Sequence, residues 1–250
     1  MRFKTSDLLL FVLLFIFVAA FPVDLIKVEL TYQILIQIGL RGLLLTFYIY
    51  LIVKNKIKIF GMASWRNILL CLPFLLACFS NIIASSIDGE FLGSSIKTID
   101  VVLLSIYTLM IAISEEIIFR LFIHNALSRT SSIKRIFGSA GIFALMHLLN
   151  LVNVSTVGAL VTVLVQTVYS FGLGLLLGFL YEYGHSLSAC VILHFLFNMM
   201  NEVIYIYVLG GTAGELAFYL TAVVIAVVLS VYIVLLYKLY FDKLDKYFRM

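Results

Sequence analysis

The sequence predicts an all-α, polytopic integral membrane protein with about eight transmembrane helices and both termini cytoplasmic. Three observations carry that expectation. The 250-residue chain is 64% hydrophobic and only 12% charged, whereas soluble domains average about 45–50% and about 25%. Its apolar residues fall into long runs close to the ~20 residues that cross a bilayer as a helix. Its basic residues collect in alternate loops, the signature of a multi-pass chain oriented by the positive-inside rule.

The expected spans follow in order. The first, about 6–23, follows Arg2 and Lys4 and runs up to Pro22. It resembles a signal peptide but lacks a polar segment before a cleavage site, so it is expected to stay as a first helix. The second, about 30–53, stops at Lys54, Lys56 and Lys58. The third, about 67–87, follows Arg66 and ends in the polar stretch Ser85–Glu90. The fourth, about 98–128, is long enough to tilt or to begin at the interface. The fifth, about 136–153, follows Arg129, Lys134 and Arg135; the sixth spans about 157–182. The seventh and eighth, about 187–208 and 215–237, lead to Lys238, Lys243, Lys246 and Arg249. The opposite loops hold only Lys27 and Lys97 among several acids, which places them outside. No polar stretch is long enough for a soluble core. The whole of 1–250 therefore reads as one transmembrane helical domain.

The same features exclude other classes. The net charge of +4 comes from residues scattered at helix ends, so nucleic acid is not an expected partner. Cys71, Cys78 and Cys190 lie in apolar segments without ligand spacing and read as small apolar residues.

Three polar groups interrupt the apolar helices: Glu115-Glu116-x-x-x-Arg120, Phe143-x-x-x-His147 and His194-x-x-x-Asn198. A charge at membrane depth costs roughly 2.5–3.5 kcal/mol on insertion scales, so such residues mark function by default. Glu116 and Arg120 are one turn apart and can pair. Glu115 points about 100° away and is left to face a cavity. At 1.5 Å per residue from the cytoplasmic helix ends, Glu115, His147 and Asn198 lie roughly 18–20 Å deep and His194 roughly 14 Å. Three helices thus bring polar residues to nearly one layer.

A carboxylate beside a neutral imidazole can activate water as a general base. A second His and an Asn can donate to a developing oxyanion. No Ser or Cys stands at helical spacing from a His, which favours direct attack by water over a covalent nucleophile.

The segment Glu115-Glu116-Ile117-Ile118-Phe119-Arg120 resembles the first motif of the CAAX protease and bacteriocin-processing (CPBP, or Abi) family of intramembrane glutamic endopeptidases. Phe143–His147 and His194–Asn198 are similar to its later motifs. The Gly172, Gly174 and Gly178 helix, with Tyr181-Glu182, resembles the small-residue helix before the last one. The resemblance covers roughly 98–208, taken as the catalytic core. It implies that Glu115 activates water with help from His147, that His194 and Asn198 form the oxyanion hole, and that Glu116 and Arg120 support the site. It implies a membrane-associated peptide or protein substrate, CAAX-type or bacteriocin-related, and a multi-pass protein of a bacterial plasma membrane.

Other readings stand beside it. Glu115, His147 and His194 could ligate zinc, although no His-Glu-x-x-His helix is present and no cofactor is expected. The same layer could serve a self-immunity protein that only binds its partner, or an ion pathway. Phe143 is expected to pack in the core, His124 to lie at the interface, and Glu182 and His185 to be solvated in a turn.

Overall fold

A computed structural model of the protein describes residues 5–21, 23, 26–57, 59, 79, 96–154, 156–208 and 231–232. The spans expected over 67–87 and 215–237 fall largely outside these residues, as do both termini. Among the described residues the elements are all helical: α1 (Thr5–Ala19), α2 (Leu30–Lys54), α3 (Thr98–Glu116), α4 (Ser132–Met146), α5 (Val157–Gly184) and α6 (Leu187–Asn198). Among the described residues, four helical stretches, Leu30–Lys54, Thr98–His124, Ser132–Val152 and Val157–Gly184, are long and apolar enough to cross a membrane, and α1 and α6 supply shorter apolar helices.

Burial is arranged as a bilayer requires. Leu43, Val53, Leu145, Val152 and Val157 are at least 61% exposed, while Glu116, Arg120 and Ser139 are fully buried. In lipid, outward apolar side chains are solvated, and each inward polar group must find a partner within the protein.

Local chemistry sets the helix ends. Thr156 and Ser186 cap α5 and α6, their hydroxyls accepting from the amides of Ala159 and Ala189 at 3.1 and 3.2 Å, which satisfies N–H groups that the helix leaves open. His185 ends α5 in the left-handed region, at φ 49°, and its amide donates to Tyr181 O. The tight Gly184–Ser186 turn makes α5 and α6 antiparallel neighbours. Glu29 meets Lys97, and Thr31 donates to buried Asp100 at 2.6 Å. The starts of α2 and α3 are therefore side by side, so these helices run parallel. Lys97 lies outside the spans, and the hydrogen bond and charge of Glu29 hold its ammonium pKa above the usual value.

Three helices change pitch. After Glu116, α3 continues as a π-helix over Ile117–His124; after Met146, α4 continues as a 3₁₀ helix over His147–Asn153; after Asn198, α6 continues as a π-helix over Met199–Val208. Sequence periodicity carries regular α-geometry through all three and ends the fourth span at about 128, two residues past the last helical residue, Ala126. π-turns cluster at functional sites because the wider turn re-aims side chains. Here the first two pitch changes begin next to a motif glutamate and at the motif histidine.

An aromatic core binds α1, α2 and α3. Phe11 stacks on Phe122 at 4.4 Å between centroids, and Tyr48 meets both edge-on. Between α4 and α5 the contact is close instead. A Cβ on Gly174 would lie 3.0 Å from Ala140 Cα and 3.1 Å from the Phe143 ring; one on Gly178 would lie 3.3 Å from Ile136. Small residues that admit a neighbouring backbone are what helix association in lipid uses. Gly174→Val is expected to destabilise the detergent-solubilised protein by about 1–3 kcal/mol through overpacking, read as a lower thermal midpoint. Gly39→Ala, where a Cβ meets nothing within 4 Å, is expected to leave the midpoint unchanged or to raise it.

Two expectations are corrected at the far end of α3. His124 is not an interface residue: it is 1% exposed, with Nε2 2.7 Å from Glu182 Oε2. Glu182 is not solvated: it lies on α5, and Arg135 grips it through Nε and Nη2. The sequence places these groups near helix ends. Only the antiparallel packing of α3, α4 and α5 brings them together, with Asn125 donating to Tyr181 Oη at 3.1 Å beside them.

Candidate active site

A cavity of about 190 Å³ opens where all six helices meet. Its walls include Phe15 from α1, Arg41 from α2, Glu115 from α3, Tyr169 from α5 and His194 and Asn198 from α6, with His147 at the end of α4. A buried water needs only about 10–15 Å³ of such volume, so the space admits water.

The two adjacent glutamates take different places. Glu115 faces the cavity; its side chain is 13% exposed and its Oε2 lies 3.7 Å from His194 Nε2. Glu116 is fully buried behind the wall. Its Oε2 lies 2.9 Å from Arg120 Nε, and its Oε1 lies 2.9 Å from His194 Nδ1. The pairing of Glu116 with Arg120 appears where helical spacing puts it. The contact with His194 does not follow from spacing, because it joins residues 78 apart in sequence.

Arg120 is pinned on several sides. Its Nη1 donates to Ser139 Oγ at 3.1 Å, and that hydroxyl donates to Phe119 O at 2.8 Å. The guanidinium carbon lies 5.4 Å from the centre of the Phe143 ring. Phe143 is core, as expected, and also a platform. It meets His147 edge-on at 4.9 Å, His194 at 5.7 Å and Phe119 at 5.0 Å. Both histidine rings are thereby oriented by one buried aromatic side chain that Gly174 holds from behind.

The hydrogen bonds constrain the proton positions. His147 Nδ1 is 3.0 Å from Phe143 O; a carbonyl only accepts, so Nδ1 carries the proton and Nε2 is left as the base. His194 Nδ1 donates to the Glu116 carboxylate. Its Nε2, near Glu115, therefore accepts when the ring is neutral and donates only when the ring carries a second proton. Asn198 makes no side-chain hydrogen bond among the described residues, which leaves its amide to the cavity. Among the described residues, no group of three or more His, Cys, Asp and Glu side chains is arranged to hold a metal ion.

Sequence reasoning missed Arg41. It is 5% exposed, donates from Nη1 to Ser114 Oγ at 3.1 Å, and stands 5.6 Å over the Phe15 ring. The available signal was a lone cation midway along the second expected span, the same kind of anomaly that singled out Glu115. Arg41 was passed over because no motif surrounds it.

Residues 97–200 match the family model described as type II CAAX prenyl endopeptidase Rce1-like. Over that stretch the chain is similar to the CAAX protease family. No curated protein and no solved structure matches the chain. The matched segment begins just before α3 and ends just after Asn198, so it holds Glu115, Glu116, Arg120, His147, His194 and Asn198. It omits α1 and α2, which close the cavity with Phe15 and Arg41. Helices α1 and α2 thus build one wall of the cavity.

Proposed function

We propose that this protein is an intramembrane endopeptidase that cuts membrane-associated polypeptides of the CAAX type with a water activated by Glu115. The observation that carries the reading is the division of the glutamate pair. Glu115 shares the cavity with His147, His194 and Asn198, while Glu116 stays outside it and holds His194 in place.

The chemistry runs in two steps. Glu115, with His147 Nε2 beside the same cavity, takes a proton as water attacks the peptide carbonyl carbon. The carbonyl oxygen gains the electron pair and is met by the Asn198 amide and by His194 Nε2–H. That donor requires a doubly protonated His194, whose Nδ1–H stays hydrogen-bonded to the Glu116 carboxylate. The C–N bond then breaks, and the proton held by the base passes to the leaving amine. The two glutamates and two arginines around the site cancel formally when both histidines are neutral. A proton gained by His194 is then the net positive charge that faces the oxyanion.

The test compares protein and peptide termini in membranes from cells carrying wild-type or Glu115→Ala protein, with insertion checked by fractionation. Termini that appear only with the wild type are the expected result, and identical termini would overturn the reading. Cleavage by the purified protein is also expected to survive exhaustive chelation, with no stoichiometric metal by elemental analysis. Activity lost to chelator and restored by zinc would replace the water-activating role of Glu115 with a metal ligand's.

A further inference from the structure

Arg41 has no role in that mechanism, yet it stands in the same cavity. Other inward cations find acids: Arg120 meets Glu116, and Arg135 meets Glu182. Arg41 is buried too, and among the described residues it meets no carboxylate and its one hydrogen bond goes from Nη1 to the neutral hydroxyl of Ser114. A guanidinium carries five N–H donors in a planar fork, so most of its donors are uncommitted. Burying such a group without an acid is unfavourable. Two contacts nonetheless fix its position: Ser114, directly before Glu115, and the face of Phe15. The cation is held, oriented and left open toward the space where substrate lies.

We propose that Arg41 is a specificity subsite that binds a carboxylate of the peptide held for cleavage at Glu115. A carboxylate matches the guanidinium fork in a paired, charge-assisted geometry. The inference rests on the endopeptidase reading for its setting. It adds a substrate requirement, a negative group within one cavity's reach of the cut bond. That group is either the free carboxyl terminus of the peptide or an acidic side chain beside the bond.

Binding decides the question without turnover. Full-length Glu115→Gln protein in detergent is titrated with three fluorescent S-prenylated peptides, each ending three residues after the modified cysteine. The first ends as a free acid, the second as the carboxamide, and the third is a carboxamide with Asp in its last position. A charge-assisted pair predicts roughly tenfold to hundredfold tighter binding of a peptide with the right carboxylate than of the plain carboxamide. Preference for the free acid alone identifies the carboxyl terminus as the ligand; preference for the Asp peptide identifies the side chain. Adding Arg41→Gln is expected to erase the preference, and Arg41→Lys to keep part of it. Equal binding of all three peptides overturns the proposal, and this comparison needs no Arg41 variant to fold. A preference that persists in a folded Arg41→Gln protein also overturns it. Cleavage by the wild type is scored separately: cleavage without carboxylate preference removes only the subsite, and preference without cleavage removes only the endopeptidase reading.

Discussion

Glu115→Gln is expected to lower kcat by roughly 10²–10⁴-fold, the usual worth of a positioned general base, with little change in KM. The amide keeps the size and hydrogen-bonding reach of the carboxylate but cannot take the proton from water. Glu115 lies at the cavity wall rather than in the packed interior, and its closest charged neighbour is His194 at 3.7 Å. Folding should therefore be little affected, and an unchanged thermal midpoint is part of the expected result. His147→Ala is expected to act in the same direction, since it removes the free ring nitrogen that shares the cavity. The measurement is single-turnover hydrolysis of a prenylated peptide by the detergent-solubilised protein. Rates within threefold of wild type for Glu115→Gln would rule out Glu115 as the base.

Arg120→Met is expected to have the largest effect on stability, a loss of about 3–5 kcal/mol, because it leaves the Glu116 charge buried without its cation. Glu116 Oε2 would lose its partner at 2.9 Å, and Ser139 Oγ its donor at 3.1 Å. The double variant Glu116→Gln, Arg120→Met is expected to lose less stability than Arg120→Met alone, since both charges leave together. Unfolding midpoints of the two single variants and the double variant close the cycle. Activity should separate from stability in that series. Glu116→Gln frees His194 Nδ1 from its acid, so kcat is expected to fall even where the fold is restored by the second change. An additive cycle, with the double variant as unstable as the sum of the singles, would show that Glu116 and Arg120 are not a coupled pair.

The parts of the site that obey local rules were legible in the sequence. Adjacent residues on a helix diverge by about 100° and residues four apart converge, which is enough to split Glu115 from Glu116 and to give Arg120 to the latter. Glu182 and His124 were misread for the opposite reason. Each lies near a helix end, where exposure is the ordinary outcome, but His124 is buried and Glu182 half-buried because helices distant in sequence supply their partners.

Composition and the spacing of apolar runs determined that this is a multi-pass helical protein, and three motifs determined which segment carries the candidate chemistry. Tertiary structure alone decided that Glu116 grips His194, that Phe143 orients two imidazoles, and that Arg41 from outside the matched segment enters the cavity. The physical reason is one of range. Helical periodicity fixes the direction of a side chain relative to neighbours a turn away, whereas the contacts of His194 with Glu116 and of Arg41 with Ser114 cross 78 and 73 residues. Those contacts depend on how closely helices approach, on the space that Gly174 and Gly178 leave between α4 and α5, and on the turns where α3 and α4 change pitch.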